Sequence, residues 1–340
     1  MWREPFLDRA VRIRARNGCA IYVATLRTVT ALVEARGLAP DHRRLSFVFN
    51  TGRCGSTLMH RMLGKVGVLS FSEPYWSDCL CQQSQLLGPD GMRELFHACI
   101  AIDVALCRRS FPDAHTFSVN FKGFGHRAMS VLTDAYPEAR HIFMYRDPIK
   151  IAESFGSIFA NAVWGKRRWL PLWLSSRKPV KGRRGLPQLQ SDAMKSLGPE
   201  PFVLSRPETS RTVLGWADAV LLWMQTRQEK PHVETLTLRM DEFVRRDPAV
   251  VRQVLDFVLG DERVDDAMVE CAMTAFDKHS QAGNPMAVLS SSATGHKHLS
   301  ERDVAEMEAA IARVPSLGTC AFVVPGSLGH RLEGHARPTG

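Results

Sequence analysis

The chain has 340 residues, 45% of them hydrophobic and 23% charged, the usage of a folded globular protein with enough apolar material for one large domain or two. Its net charge of +9 favours anionic partners, a multiply charged nucleotide, a sulfated or carboxylated polymer or an acidic membrane among them, and the lack of any fixed-spacing nucleic-acid motif sets nucleic acid aside. Eight cysteines without a C-x-x-C pair exclude a zinc ribbon, and the start MWREPFLDRAVRIRARNG, charged every few residues, reads as neither secretory signal nor membrane anchor, so reduced thiols and a cytoplasmic location are expected.

In chain order, residues up to about 44 are basic and Ala-rich and predict one or two helices outside the sheet, ending at the break between Gly37 and Asp41. LSFVF, from Leu45, predicts a buried strand, Asn50 to Ser56 a donor-rich turn, and Thr57 onward an amphipathic helix. Such a strand, Gly-bracketed turn and helix point successive backbone N–H groups and the positive helix end at one place, which suits phosphate; Gly52 and Gly55 let the backbone approach the anion. Arg53 adds a fixed charge, and Ser56 and Thr57 add hydroxyls. Cys54 lies in the same electropositive loop, where a lowered thiol pKa or a small filler are the two readings.

Next, VGVLSFSEPYW predicts a second strand or extended segment, Met92 to Arg109 a helix, TFSVNFKGF a third strand, His126 to Tyr136 a helix and ARHIFMYR a fourth strand. The fourth strand ends in Arg146-Asp147-Pro148, with Pro148 suited to the first turn of a helix that carries Ser154 eight residues after the arginine. From Trp164 to Gly185 the pattern breaks into a segment with eight Lys or Arg, three Trp and no acidic residue. That segment reads as a lid, an acceptor-binding insertion or a peripheral contact with anionic membrane or polymer. Thr212 to Arg227 predicts a helix, VETLTLRMDEF a late strand, and Asp247 to Leu259 a helix opened by an Asp-Pro start. Strands alternating with helices imply right-handed crossovers, a mostly parallel sheet and ligands at the carboxyl ends of the strands.

The loop TGRCGSTL is not a Walker A loop, because Ser56 follows Gly55 where G-K-[ST] would place lysine. It resembles instead the 5′-phosphosulfate loop of sulfotransferases, which use 3′-phosphoadenosine 5′-phosphosulfate (PAPS) as donor. YRDPIKIAES resembles the 3′-phosphate site of the same family, where a strand-end Arg and a helix Ser, here Arg146 and Ser154, clamp the phosphate that distinguishes PAPS from ATP. The pattern is nearest to carbohydrate-type and bacterial members and extends over roughly residues 45 to 315, closing on SSATGHKHLSERDVAEMEAAI.

The resemblance implies an α/β, three-layer, P-loop-like fold with a central mostly parallel sheet flanked by helices. It divides the chain into an N-terminal helical extension at 1–44, a sulfotransferase domain at 45–330 with a basic Trp-rich insertion at 161–211, and a flexible tail at 331–340. It also implies sulfonate transfer from PAPS to a hydroxyl of a carbohydrate, lipid or small molecule, with PAP (3′-phosphoadenosine 5′-phosphate) as product and no metal. Gly52, Arg53, Cys54, Gly55, Ser56, Thr57, Arg146 and Ser154 would bind the donor, and Arg53 would also stabilise the leaving phosphate. Glu73 in FSEPYW stands where such enzymes carry a base; desolvation would raise its pKa and the arginines would oppose that. Phe124 stands where cytosolic members place a catalytic His, His126 is the alternative base, and Lys122 would assist near the sulfonyl group. A nucleotide kinase, or a non-catalytic protein that binds anions or membranes through the basic Trp-rich segment, are the readings outside this class.

Overall fold

The computed structural model describes residues 24–155, 207–277, 299–314, 317 and 322–328. Five strands form one all-parallel sheet in the order β2-β3-β1-β4-β5: β1 Leu45–Asn50, β2 Leu69–Ser72, β3 Phe117–Asn120, β4 Arg140–Tyr145 and β5 Thr235–Arg239. Helix α1 is Leu26–Ala35, α2 is Ser56–Lys65 and α3 is Tyr75–Ser110. They are followed by α4 Met129–Ala135, a helical stretch at 148–155, α5 Pro207–Glu229, α6 Met240–Phe243, α7 Pro248–Leu259, α8 Asp266–Met273 and α9 Glu301–Ala312.

Every residue of β1 is buried, as a central parallel strand covered on both faces must be. Its alternation still sorts side chains between two cores. Leu45, Phe47 and Phe49 join Phe143, Tyr145, Trp216 and Trp223 under α3, α4, α5 and α9. Val48 joins Ile142, Met144 and Leu238 under α2, α7 and α8. Burying one large apolar side chain contributes about 1.5–3 kcal/mol, so the ring-rich first core dominates the packing. Its polar tips are paired, Trp223 Nε1 donating to Thr237 Oγ1 at 2.8 Å.

Local signals set several boundaries. Asp247 caps α7 by accepting from the Ala249 N–H at 2.8 Å, Pro248 occupies the first turn, and Gly260, at φ 66°, ends the helix. Ser300 and Asp303 form a capping box at the start of α9.

Four boundaries differ from expectation. The second strand is only Leu69–Ser72, because Pro74, extended at ψ 136°, starts α3 where VGVLSFSEPYW reads as strand or extended segment throughout. That helix reaches far ahead of Met92 and contains a break at Gly88 (φ 67°, ψ 173°) before Pro89, where a proline cannot donate to the helical ladder. At VETLTLRMDEF the strand stops at Arg239 and Met240–Phe243 turns helical, so Phe243 packs beneath α2 and α7. The segment predicted as a third strand ends at Asn120 and continues into a 3₁₀ turn, Gly123–Ala128.

Helix α1 lies against α3, Thr30 Oγ1 donating to Glu94 Oε1 at 3.1 Å. The basic Trp-rich segment, the closing loop before α9, the first helices expected at the N-terminus and the tail at 331–340 fall outside the described residues. Among the described residues, no helix is long and apolar enough to cross a membrane.

Candidate functional site

The carboxyl ends of β1 and β4 lie side by side, and the chain leaves them in opposite directions. After β1 it enters α2, which packs in the core with Val48; after β4 it enters the 148–155 helix, whose Ile151 and Ala152 pack in the core with Phe47. This is a topological switch point, the crevice where open parallel sheets receive ligands.

The loop between β1 and α2 turns three times through left-handed backbone, at Gly52 (φ 81°), Arg53 (φ 52°) and Gly55 (φ 85°). Asn50 sets the first turn by accepting from the Gly52 N–H at 2.9 Å, while its amide also donates to the Phe121 carbonyl. Helix α2 then begins at Ser56 with no side-chain cap, so its first-turn N–H groups and positive end face the crevice. Asn120 steadies that end, donating to the Ser56 carbonyl at 2.9 Å.

Two arginines meet above this cradle. Arg53 Nε donates to Ser154 Oγ at 2.8 Å, Arg146 Nη1 reaches the Arg53 carbonyl at 3.4 Å, and the Arg146 N–H donates to Thr51 Oγ1 at 3.3 Å. Burial first, and then the charge of Arg146, push the Arg53 pKa down, while Cys54 and Glu73 push it back up. Arg146 Nε is buried with no hydrogen-bond partner among the described residues. Two half-enclosed guanidiniums beside an uncapped helix start make a site that favours an anion.

The predicted donor residues are therefore brought together, with one difference in pairing. Ser154 meets Arg53 and not Arg146, because the 148–155 helix delivers its hydroxyl across the crevice to the opposite loop. Thr57 is buried, Ser56 half-buried, and Gly52 and Gly55 supply the turn. Of the two readings of Cys54 the structure favours the filler: its side chain is enclosed in the α2 core, and burial pushes its thiol up to about 12.

Glu73 follows β2 directly and sits at φ 53°. A left-handed backbone costs a non-glycine residue roughly 1–2 kcal/mol, and this one is held by the Glu73 N–H donating to the Asn120 carbonyl at 2.7 Å. Its negative charge acts on Arg53 and raises the arginine's pKa. Lys122 stands at the start of the 3₁₀ turn, beside Gly123, whose backbone abuts the loop. The alternative base, His126, is 2% exposed and committed: Nδ1 lies 2.7 Å from the Gly123 carbonyl and Nε2 3.0 Å from Asp218 Oδ2. His60 is half-buried on α2, and burial, with Arg61 beside it, pushes its pKa down to about 4.

Several contributors are not evident from sequence. Asn50 and Thr51 lie in the turn expected from the sequence, but their partners are new: Asn50 Oδ1 accepts from the Gly52 N–H and Thr51 Oγ1 from the Arg146 N–H. Arg239 ends β5 with Nε buried and unpartnered among the described residues, its Nη2 at 3.6 Å from Asp241 Oδ2, an oxygen that also takes Lys150 at 3.1 Å. No spacing rule marks Arg239, since only the pairing of β4 with β5 sets it opposite Tyr145 at the carboxyl edge of the sheet.

No protein-family profile matches the chain, and no curated protein sequence does. Among solved structures it is similar to a sulfotransferase from Alicyclobacillus acidocaldarius, at 17% identity and a TM-score of 0.39 over 73% of this chain and 94% of that one. It is also similar to the sulfotransferase domain from the curacin biosynthetic pathway, at 12% identity and a TM-score of 0.38 over 72% of this chain and 81% of that one.

Proposed function

We propose that this protein is a sulfotransferase that uses PAPS and delivers the sulfonate group to a hydroxyl of a carbohydrate, lipid or small molecule in the cytoplasm. The observation that carries the reading is the convergence of Arg53, Arg146 and Ser154 on the uncapped start of α2, since the sequence separates these residues into two motifs. The buried Nε of Arg146 is an orphaned donor of the kind a phosphate oxygen satisfies.

In this reading Arg53, Ser56, Thr57 and the loop N–H groups hold the 5′-phosphosulfate, and Arg146 and Ser154 hold the 3′-phosphate, Ser154 exchanging its bond with Arg53 for one to the ligand. PAPS supplies an electrophilic sulfur whose bond to a phosphate oxygen is already weak. Glu73 takes the proton from the acceptor hydroxyl as the new oxygen–sulfur bond forms and the bond to the phosphate oxygen breaks. Arg53 and the start of α2 stabilise the negative charge left on that oxygen, and Lys122 neutralises charge on the sulfonyl oxygens. None of these steps assigns a role to a metal.

The test is calorimetric titration with PAP, followed by a screen for transfer of labelled sulfonate to hydroxyl acceptors. Affinity for PAP well above that for adenosine 5′-phosphate, with labelled product formed in the presence of a chelator, is expected. Equal affinity for the two nucleotides, or turnover only with ATP and Mg²⁺, would overturn the reading.

A further inference from the structure

Helix α5 touches both halves of the anion site through residues that no motif singles out. Trp216 Nε1 donates to the Arg146 carbonyl at 2.9 Å, which pins the residue that ends β4. Two positions on, Asp218 meets His126 at 3.0 Å, and the other ring nitrogen of His126 lies 2.7 Å from the Gly123 carbonyl. Gly123 in turn lies flat on the β1 loop: a Cβ there would sit 3.3 Å from Gly52 N and 3.4 Å from Gly52 Cα. One arm of α5 therefore ends on the Arg146 backbone and the other, through His126 and Gly123, on the Gly52 backbone.

Both partners of the imidazole are acceptors, so the two bonds need two protons shared between ring and carboxyl. Trp216, Asp218 and His126 are each 2–3% exposed, and Trp216 and Ala217 lie in the ring-rich core, so the arms start from a rigid base. An interior held this tightly has little slack, and a displacement of α5 would change the separation of Arg53 and Arg146.

We propose that α5 is a bracket that sets the spacing between the two anion-binding halves, with Trp216, Asp218 and His126 as positioning residues. The proposal concerns the donor affinity of the sulfotransferase read above and rests on that reading for its ligand, though not for its loop geometry.

Asp218→Ala and Asp218→Asn in the full chain test it. An Asn amide can donate to a neutral His126 that still donates to Gly123, so Asn should restore what Ala removes. For Asp218→Ala the expected results are faster amide exchange at Thr51 and Gly52, PAP binding weakened about tenfold or more, and a raised KM for PAPS with the acceptor KM unchanged. Asp218→Asn should lie near the native protein in all three. Should Asp218→Ala not fold, Trp216→Phe removes the N–H to Arg146 together with part of the buried indole, at some cost in thermal stability, and it should weaken PAP binding several-fold with the acceptor KM unchanged. Native exchange rates in the loop and native PAP affinity in a folded Asp218→Ala or Trp216→Phe would overturn the bracket. If the native protein itself does not bind PAP, the donor reading fails, and the exchange rates still decide the bracket.

Discussion

Replacing Arg146 by Met keeps an unbranched side chain at the end of β4 and removes the charge and its donors. The apoprotein loses little. The bond from Nη1 to the Arg53 carbonyl is long at 3.4 Å, the anchoring bonds of Arg146 come from its backbone, and the repulsion that pushes Arg53 down is relieved. Unfolding free energy should therefore shift by no more than about 1 kcal/mol in either direction. Ligand binding should suffer far more. A charge-assisted hydrogen bond contributes about 1.5–3 kcal/mol, so PAP affinity should fall roughly 12- to 150-fold, at 1.4 kcal/mol per factor of ten. Adenosine 5′-phosphate lacks the 3′-phosphate, and its affinity should change by less than a factor of about three. Calorimetric titration of both nucleotides into native and variant protein at one ionic strength measures the ratio, and urea unfolding measures the stability. An unchanged ratio of PAP to adenosine 5′-phosphate affinity would refute the 3′-phosphate assignment. A stability loss of several kcal/mol would instead make Arg146 a structural residue.

Glu73→Gln should lower turnover about 10²- to 10⁴-fold, the range for loss of a general base, and leave PAP affinity equal or higher because the negative charge acting on Arg53 is gone; near-native turnover would remove Glu73 from the chemistry. Alkylation at pH 8 followed by peptide mapping should modify exposed Cys271 well before Cys54, whose thiol burial holds at about 12; equal labelling rates would contradict the packed loop. His141 is fully buried on β4, and burial lowers its pKa from 6.5 to about 4, so the unfolded chain takes up a proton in that interval and the folded chain does not. Its contribution is complete above pH 6.5 and is lost as the pH falls toward 4, by about 3 kcal/mol in order of magnitude at roughly 1.4 kcal/mol per pH unit. Urea unfolding from pH 7 to 4 should show a shallower acid decline in His141→Phe, and an identical decline in both proteins would refute the buried-neutral assignment.

Elements with one strong local cause were readable in advance. The β1 strand, the glycine turn and the start of α2 follow from apolar residues, two glycines and hydroxyls in immediate succession, and α7 from Asp247-Pro248. Where local preference and packing disagreed, packing won: Met240–Phe243 reads as strand, yet it turns helical because Phe243 has a core to fill between α2 and α7. Cys54 is a similar case, since its neighbours in sequence are charged and polar while its neighbours in space are apolar.

By itself the sequence determined the parts of the candidate site: the cradle at 51–57, Arg146 and Ser154 at a strand-to-helix step, Glu73 after the second strand, and an alternating pattern that demands a parallel sheet. Only the tertiary structure decided who meets whom. Register between β1 and β4 brings Arg53 beside Arg146, the 148–155 helix carries Ser154 to the loop and away from its own strand's arginine, and α5 supplies the Trp216 and Asp218 contacts behind them. Periodicity along a chain reports which face a residue takes, while contacts between residues far apart in sequence depend on strand order and crossover direction. Those are properties of the assembled sheet.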